Sequence, residues 1–182
     1  MEGSARAATT APSTAAPTPV RQGPFFEEVT VGLELKPLRK PPITRLQLAK
    51  YAAATGDFNP SHVDEDIARD IGGMGGVFAH GMIGMGFIGE LLADWLWDRP
   101  LRRFSTRAAV VVRPGDTLEC YARVVKKWVE GDDNLIELEV GARNQRGEVS
   151  HTGRAIAALP THPLAPRDRV KQPYLLQHRV IG

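Results

Sequence analysis

The spacing of apolar residues changes at about residue 100 and predicts helices before that point and a β-sheet after it. Between residues 80 and 97, apolar side chains cover almost the whole circumference of a helix, which predicts a buried helix. Further on, apolar and polar residues alternate in segments separated by turn sequences, as in antiparallel strands with one apolar face. These segments are residues 104–112, 118–124, 136–142 and 149–157.

The apolar face of such a sheet needs a cover, and the buried helix is the available element. The sequence therefore predicts an α+β fold in which a curled antiparallel sheet wraps around one central helix. Before that helix, residues 33–39 predict an early strand and residues 44–55 a shorter helix. Thr44 is a suitable N-cap for the shorter helix, and Gly56 is a suitable stop.

Composition divides the chain into one folded domain and two flanking segments. Residues 1–24 are rich in Ala, Thr, Ser and Pro, so they cannot bury enough apolar surface to offset the entropy of ordering. We expect a disordered leader there. Residues 25–160 hold the helices and strands and form one domain without an internal repeat. Residues 161–182 predict an extended surface tail.

Charge and cysteine content exclude several functional classes. A net charge of +2, with scattered arginines, does not favour nucleic-acid binding. The single cysteine, Cys120, excludes an internal disulfide and a multi-cysteine metal site, which fits a reducing cytoplasm. The most apolar stretch begins at Val77 but is interrupted by His80, Glu90 and Asp94, so it does not predict a membrane span.

The segment after the first helix holds the polar residues best placed for chemistry, in the sequence TGDFNPSHVDED. Pro60 disfavours helix at Asn59, so we expect Asp57, Asn59 and His62 on a tight turn. A carboxylate and an imidazole that are held close together can act as a general acid–base pair. The turn is therefore the first candidate for a catalytic site.

Three other interpretations of this turn must be weighed against the catalytic one. Asp57 and Asn59 can simply cap backbone N–H groups where the helix ends. An EF-hand calcium loop fails because His62 stands at the glycine position and Ala68 at the twelfth position, where such a loop has glutamate. A zinc site formed by Asp57, His62 and His80 is a third interpretation, but spacing along the chain does not show that they converge.

A second element, VFAHGMIGMG, opens the predicted buried helix. A helix that starts at Gly81 leaves free N–H groups at the positive end of the helix dipole. Such groups suit a carbonyl oxygen that becomes an enolate oxygen during a reaction. The alternative is that Gly81 only permits close packing and that His80 is a hydrogen-bonded core histidine.

Residues outside these two elements favour structural or solvent-exposed roles. His151 is in phase with Val149 and Ala155 on an apolar face, which predicts a packed or interface histidine more than a catalytic one. Three arginines could meet the phosphates of a cofactor arm, although a solvated rim explains them equally well. They are Arg102, Arg103 and Arg107.

Together, YAAATGDFNPSHVDEDIARDIGG and FAHGMIGMGFIGELL resemble the MaoC-like, (R)-specific enoyl-CoA hydratase family. The family pattern is a helix ending in Gly-Asp-x-Asn-Pro-x-His, followed by a helix that starts with Ala-His-Gly-Met. The resemblance covers roughly residues 25–159, and within the family it is strongest to the B subunit of mycobacterial-type (3R)-hydroxyacyl-ACP dehydratases. Thr55 stands where serine is common and Ser61 where an apolar residue is usual, and neither change removes a catalytic group.

The resemblance implies a single hotdog fold and a hydro-lyase that interconverts (3R)-hydroxyacyl and trans-2-enoyl thioesters. The substrate would be carried by CoA or acyl carrier protein, and two hotdog units would pair as a homodimer or a heterodimer. The family chemistry requires no metal and no redox cofactor. Two alternatives remain on the same fold: a non-catalytic acyl-binding subunit of a heteromeric dehydratase, and an acyl thioesterase.

The resemblance also implies roles for individual residues. Asp57 and His62 match the catalytic pair of the family, and Asn59 matches the residue thought to orient that pair. The N–H of Gly81 is the expected oxyanion contact. Two further residues are expected to contact the substrate: His80 and Met82.

Overall fold

The computed structural model describes residues 22–70 and 74–163. Most of the predicted leader (residues 1–24) and of the predicted tail (residues 161–182) lies outside these residues. The helices of the described chain are α1 (Arg45–Thr55), α2 (Glu65–Asp70) and α3 (Gly81–Leu96). The strands are β1 (Leu38–Lys40), β2 (Leu101–Ala108), β3 (Leu118–Glu130), β4 (Asp133–Asn144) and β5 (Val149–Ala158).

The strands form one antiparallel sheet in the order β1-β3-β4-β5-β2. Successive hairpins join β3, β4 and β5, whereas β2 pairs with β5 and lies at one edge. The inner face of β3, with Cys120, Ala122 and Val124, shares one buried core with Ile88 and Leu92 of α3. The long helix contacts all five strands. The predicted α+β arrangement, a sheet around one central helix, is confirmed.

Helix α1 forms and ends as its terminal residues predict. The Thr44 hydroxyl accepts a hydrogen bond from the Gln47 N–H, which satisfies one of the free donors at the start of the helix. Gly56 ends the helix with a φ of 74°, in the left-handed region that glycine adopts most readily. Leu48 and Ala52 face the core. The position of Gly56 decides where the turn that carries Asp57 and His62 begins.

Helix α3 is buried on one face only, so the prediction of burial all round is wrong for the single chain. Ile88, Leu92 and Leu96 are buried against the sheet. On the opposite side Met82 is 58% exposed, and Gly86 is exposed as well. Apolar side chains on every face of a helix indicate that each face is to be covered, but they do not say by which chain.

Two strand boundaries differ from the sequence prediction. The first predicted strand of the hairpin region, residues 104–112, is observed at Leu101–Ala108. Beyond it, the Val112 carbonyl accepts a hydrogen bond from the Ala79 N–H (2.7 Å), so residues 109–112 leave the sheet and pass the start of α3. The early strand predicted at residues 33–39 is interrupted: Leu33 and Leu35 bond to the backbone of β3, and β1 follows only after Pro37, which lacks an N–H donor.

The folded part extends slightly beyond the domain limits predicted from composition. The Arg99 guanidinium donates to the carbonyls of Gly23 (2.7 Å) and Pro24 (3.0 Å), two residues assigned to the leader. At the other end, the ring of His162 stacks on Phe25 with centroids 4.0 Å apart. These contacts join the two ends of the described chain. None of the helices within residues 22–70 and 74–163 is long and apolar enough to cross a membrane.

A buried carboxylate fixes the turn that leads into β3. Asp116 is 3% exposed and accepts hydrogen bonds from the Arg113 N–H (2.9 Å), the Gln145 side chain (2.9 Å) and the Arg146 guanidinium (2.7 Å). Burial alone would raise the pKa of Asp116, but the hydrogen bonds, that of Arg146 first, hold it below its ordinary value. This turn comes directly after residues 109–112, the segment that passes the start of α3.

We expect Asp116→Asn to lower the free energy of unfolding by about 2 kcal/mol at neutral pH, because charge-assisted hydrogen bonds are lost. Since the native pKa is depressed, the wild-type advantage is complete above the ordinary carboxyl pKa of about 4. It disappears as the pH falls through the lower native pKa. Chemical denaturation of both proteins at neutral and acid pH measures the difference, and a pH-independent difference would contradict the prediction.

Candidate active site

The turn between α1 and α2 is built from side chains that bond to the neighbouring backbone. Asp57 Oδ1 accepts the N–H of Asn59 (3.3 Å), and Asn59 Oδ1 accepts both the N–H (3.1 Å) and the hydroxyl (2.9 Å) of Ser61. Pro60 then starts a single turn of 3-10 helix that ends at His62. The capping interpretation is therefore correct, and it is compatible with catalysis because the caps rigidify the loop.

His62 lies at the inner end of this turn and is 7% exposed. Its Nδ1 lies 2.8 Å from the carbonyl oxygen of Phe78, which can only accept a hydrogen bond. Nδ1 therefore carries the proton, and in the neutral imidazole Nε2 carries the lone pair. This arrangement fixes both the tautomer and the orientation of the imidazole, as a general base would require.

His80 links the turn between α1 and α2 to the start of α3. It is the residue before the helix, and its Nε2 donates to the backbone carbonyl of Asp57 at 3.0 Å. Its ring lies against that of His62, with centroids 3.8 Å apart. The other ring nitrogen, Nδ1, is buried and has no hydrogen-bond partner within the described part of the chain. His80 thus holds the backbone of Asp57 beside His62.

Asp57, His62 and His80 are the one group of possible metal ligands found within the described residues. One ligand atom of each lies within 4.8 Å of the others, so the residues do converge in space. Ligand atoms around a tetrahedral zinc, bound at about 2.0–2.1 Å, lie only about 3.4 Å apart. Nδ1 of His62 and Nε2 of His80 already bond to backbone carbonyls, so each imidazole has only its other ring nitrogen left for a metal.

The N-terminus of α3 provides hydrogen-bond donors next to this group. The first N–H that bonds within the helix belongs to Ile83, which donates to the His80 carbonyl at 3.0 Å. The N–H groups of Gly81 and Met82 precede it and point toward the open end of the helix. A Cβ on Gly81 would meet the Ala108 Cβ at 3.6 Å, an ordinary contact. Packing against the described residues therefore does not by itself require glycine at this position.

An apolar cavity of about 310 Å³ opens beside His80 and Gly81. Its walls come from the start of α3 and the residues just before it, from the end of β2 and the segment that follows, and from single residues of β3 and β5. The residues that line it include Phe78, Ile83, Val110, Val112, Leu118 and His151. Such a cavity suits a hydrocarbon chain whose polar end stays at the helix N-terminus.

Solved structures with the same architecture include two (R)-hydratases. The (R)-hydratase of A. caviae involved in PHA biosynthesis is 25% identical, with a TM-score of 0.64 over 74% of this chain and 99% of that one. The R-hydratase PhaJ1 of Pseudomonas aeruginosa is 25% identical, with a TM-score of 0.66 over 77% and 90%. The ChsH1-ChsH2 complex of Mycobacterium tuberculosis is 23% identical, with a TM-score of 0.60 over 71% and 98%.

The family match decides the assignment. Residues 27–145 match the family model of the MaoC like domain. The chain belongs to the MaoC-like dehydratase family. The expected hotdog fold is confirmed, and the (R)-hydratase neighbours support hydratase or dehydratase activity for this MaoC-like protein. No curated protein sequence gives a significant match.

The structure places the other residues expected at the site in different positions. Asn59 contacts Asp57 through its backbone N–H, while its side chain caps Ser61, so it orients the loop and not the imidazole directly. His80 lines the cavity and also supports Asp57. Met82 lines a separate apolar groove on the exposed face of α3, with Tyr51 and Phe104 among its neighbours. Substrate contact by Met82 stays a prediction.

His151 is the residue whose connection to the site was missed by sequence reasoning. Its burial is as predicted, at 2% exposure, but its Nε2 donates to the carbonyl of Gly81 at 2.9 Å. Burial lowers the pKa of His151, and the hydrogen bond to Gly81 only partly offsets that effect. The sequence signal was a histidine at an apolar position of a strand, which indicates burial but does not name the partner.

Proposed function

We propose that this MaoC-like protein adds water to trans-2-enoyl thioesters and removes it from (3R)-hydroxyacyl thioesters. One observation carries the proposal: a carboxylate and an oriented imidazole, Asp57 and His62, lie within 4.8 Å of each other beside the free N-terminus of α3. The 25% identity to two solved (R)-hydratases supports it.

In the hydration direction, the thioester carbonyl accepts a hydrogen bond from the Gly81 N–H. This contact stabilises the enolate oxygen that forms when a water oxygen bonds to C3 of the substrate. His62 Nε2 and the Asp57 carboxylate together take the proton from that water and return a proton to C2. The net change is the addition of one water, so no electron is transferred. Dehydration follows the same steps in reverse.

The shape of the site is compatible with an acyl chain on either of two carriers. The apolar cavity holds the acyl chain, and the thioester lies at the start of α3, where either CoA or the arm of an acyl carrier protein can extend into solvent. From the resemblance of its two sequence motifs, we propose a role like that of the B subunits of mycobacterial-type (3R)-hydroxyacyl-ACP dehydratases. A reducing cytoplasm suits Cys120, a free buried thiol whose pKa is raised to about 12 by burial.

The test is water addition to crotonyl-CoA and to longer trans-2-enoyl thioesters, followed by mass spectrometry and chiral analysis. We expect a mass gain of one water and a predominantly (R)-3-hydroxy product, with a rate unchanged by prior dialysis against EDTA because no metal is needed. Release of free thiol without water addition would indicate a thioesterase instead. A predominantly (S) product would mean that Asp57 and His62 do not deliver the reacting groups as proposed.

We further propose that a second hotdog unit, identical or related, pairs with this chain along β2. The strand is eight residues long and lies at the edge of the sheet, where unpaired backbone groups invite pairing. The exposed face of α3, with Met82 and Met85, adjoins it. The heteromeric ChsH1-ChsH2 neighbour makes either kind of partner reasonable. Light scattering should show a dimer for an active sample; an active monomer would contradict this.

A further inference from the structure

His151 lies against the first turn of α3, where it contacts Gly81 and leaves no room for a Cβ at Gly84. We propose that His151 is a positioning residue that orients the peptide between Gly81 and Met82, so that the Met82 N–H becomes a second donor to the thioester oxygen. This inference rests on the proposed function, because it concerns how the same site holds the substrate carbonyl.

Both ring nitrogens of His151 are engaged with the protein. Nε2 donates to the Gly81 carbonyl at 2.9 Å, so in the neutral ring Nδ1 carries the lone pair; it lies 3.1 Å from the hydroxyl of Ser150, which also bonds to the Ala142 carbonyl (3.1 Å). The lowered pKa of the buried ring agrees with this neutral form. Only carbon atoms of the ring edge remain to face the apolar cavity. His151 therefore acts through the backbone and not by touching the reacting atoms.

The geometry of the peptide bond transmits the effect. In a planar trans peptide, the carbonyl and the N–H of the next residue point in opposite directions. When His151 holds the Gly81 carbonyl, it also fixes the direction of the Met82 N–H, which points to the open end of α3. A hydrogen bond to the carbonyl oxygen also polarises the peptide and strengthens its N–H as a donor. Two adjacent donors, from Gly81 and Met82, then face one oxygen.

Keeping a histidine at this position lowers the stability of the fold in two ways. A buried imidazole must be desolvated, and a histidine stands here on a strand face that is otherwise apolar. The helix must also carry glycine at position 84, because a Cβ there would lie 2.2 Å from the His151 ring. Glycine destabilises a helix interior by about 1 kcal/mol relative to alanine. An apolar residue and an alanine would serve packing alone at lower cost.

The decisive comparison is between His151→Leu, which removes the donor but keeps an apolar volume, and His151→Gln, which can still donate to the Gly81 carbonyl. We expect His151→Leu to lower kcat for hydration by about 10-fold with little change in KM, since the contact strengthens in the transition state. His151→Gln should restore most of that loss. Ser150→Ala, which leaves the bond to Gly81 in place, is the matched control and should lose less.

A spectroscopic measurement separates positioning from a merely structural role. The infrared carbonyl stretch of bound, isotopically labelled butyryl-CoA should move to lower frequency in the wild type and in His151→Gln, and less so in His151→Leu. In the ligand-free protein, the NMR chemical shift of the Met82 amide in His151→Leu should differ from that of the wild type. In His151→Gln it should stay close to the wild-type value.

The possible failures are distinguishable. An unchanged kcat for His151→Leu overturns the inference and leaves the proposed function standing. Equal losses for His151→Leu and His151→Gln, with an unchanged carbonyl frequency and a lowered melting temperature, show that His151 is structural only. A wild type that binds the thioester but adds no water overturns the proposed function itself, and with it the role assigned to His151.

Discussion

Replacing Asp57 with asparagine, or His62 with glutamine, should lower the rate of enoyl-thioester hydration by about 10²-fold or more. Asp57→Asn keeps the size of the side chain and an oxygen that can accept the Asn59 N–H, so the turn should fold as before. His62→Gln retains a donor that can reach the Phe78 carbonyl. Each variant therefore removes the acid–base group while it preserves the contacts that build the loop.

The double variant should be little slower than the slower single variant, because the two side chains act on the same proton transfers. Asp66→Asn is a matched control, since this nearby carboxylate has 93% of its side chain exposed and lies outside the site. Initial rates with crotonyl-CoA, together with melting temperatures, measure the effect. Turnover close to that of the wild type in either single variant would remove that residue from the mechanism.

Local sequence was enough to predict the parts of the fold that local interactions determine. Helix α1 begins at a Thr44 cap and ends at Gly56, and both residues act on groups within four positions. The turn between α1 and α2 is equally local, because the side chains of Asp57 and Asn59 bond to N–H groups two residues ahead. For the same reason the resemblance to (R)-hydratases could be recognised from short stretches of sequence.

Features that depend on distant partners were not predictable in this way. Residues 109–112 continue the alternating pattern of β2, yet they leave the sheet, because Val112 bonds to Ala79 near the start of α3. The approach of His80 to Asp57 spans 23 positions and that of His151 to Gly81 spans 70. Hydrophobic periodicity shows that a residue is covered, but it does not name the residue that covers it.

Gly84→Ala should lower the free energy of unfolding by about 2 kcal/mol, within the usual range for overpacking a core. An alanine Cβ would lie 2.2 Å from Cε1 of His151 and 2.6 Å from each ring nitrogen. The imidazole cannot simply rotate away, because its nitrogens are bonded to Ser150 and Gly81. The ring must move, and the hydrogen bond to the Gly81 carbonyl lengthens or breaks. We therefore expect kcat to fall together with stability.

Gly89→Ala, on the same helix, is the matched control for Gly84→Ala. Its Cβ would meet Phe104 at 3.6 Å, an ordinary contact, so the better helix propensity of alanine should stabilise the protein by up to about 1 kcal/mol.

The clash of an alanine at position 84 should also disappear when the side chain of His151 is shortened to alanine. Gly84→Ala combined with His151→Ala should be more stable than Gly84→Ala alone, which is a coupling that only two residues in contact can show. Chemical denaturation of the wild type, Gly84→Ala, His151→Ala and the double variant gives this coupling free energy. Additive effects on stability would mean that glycine at position 84 is not required by His151.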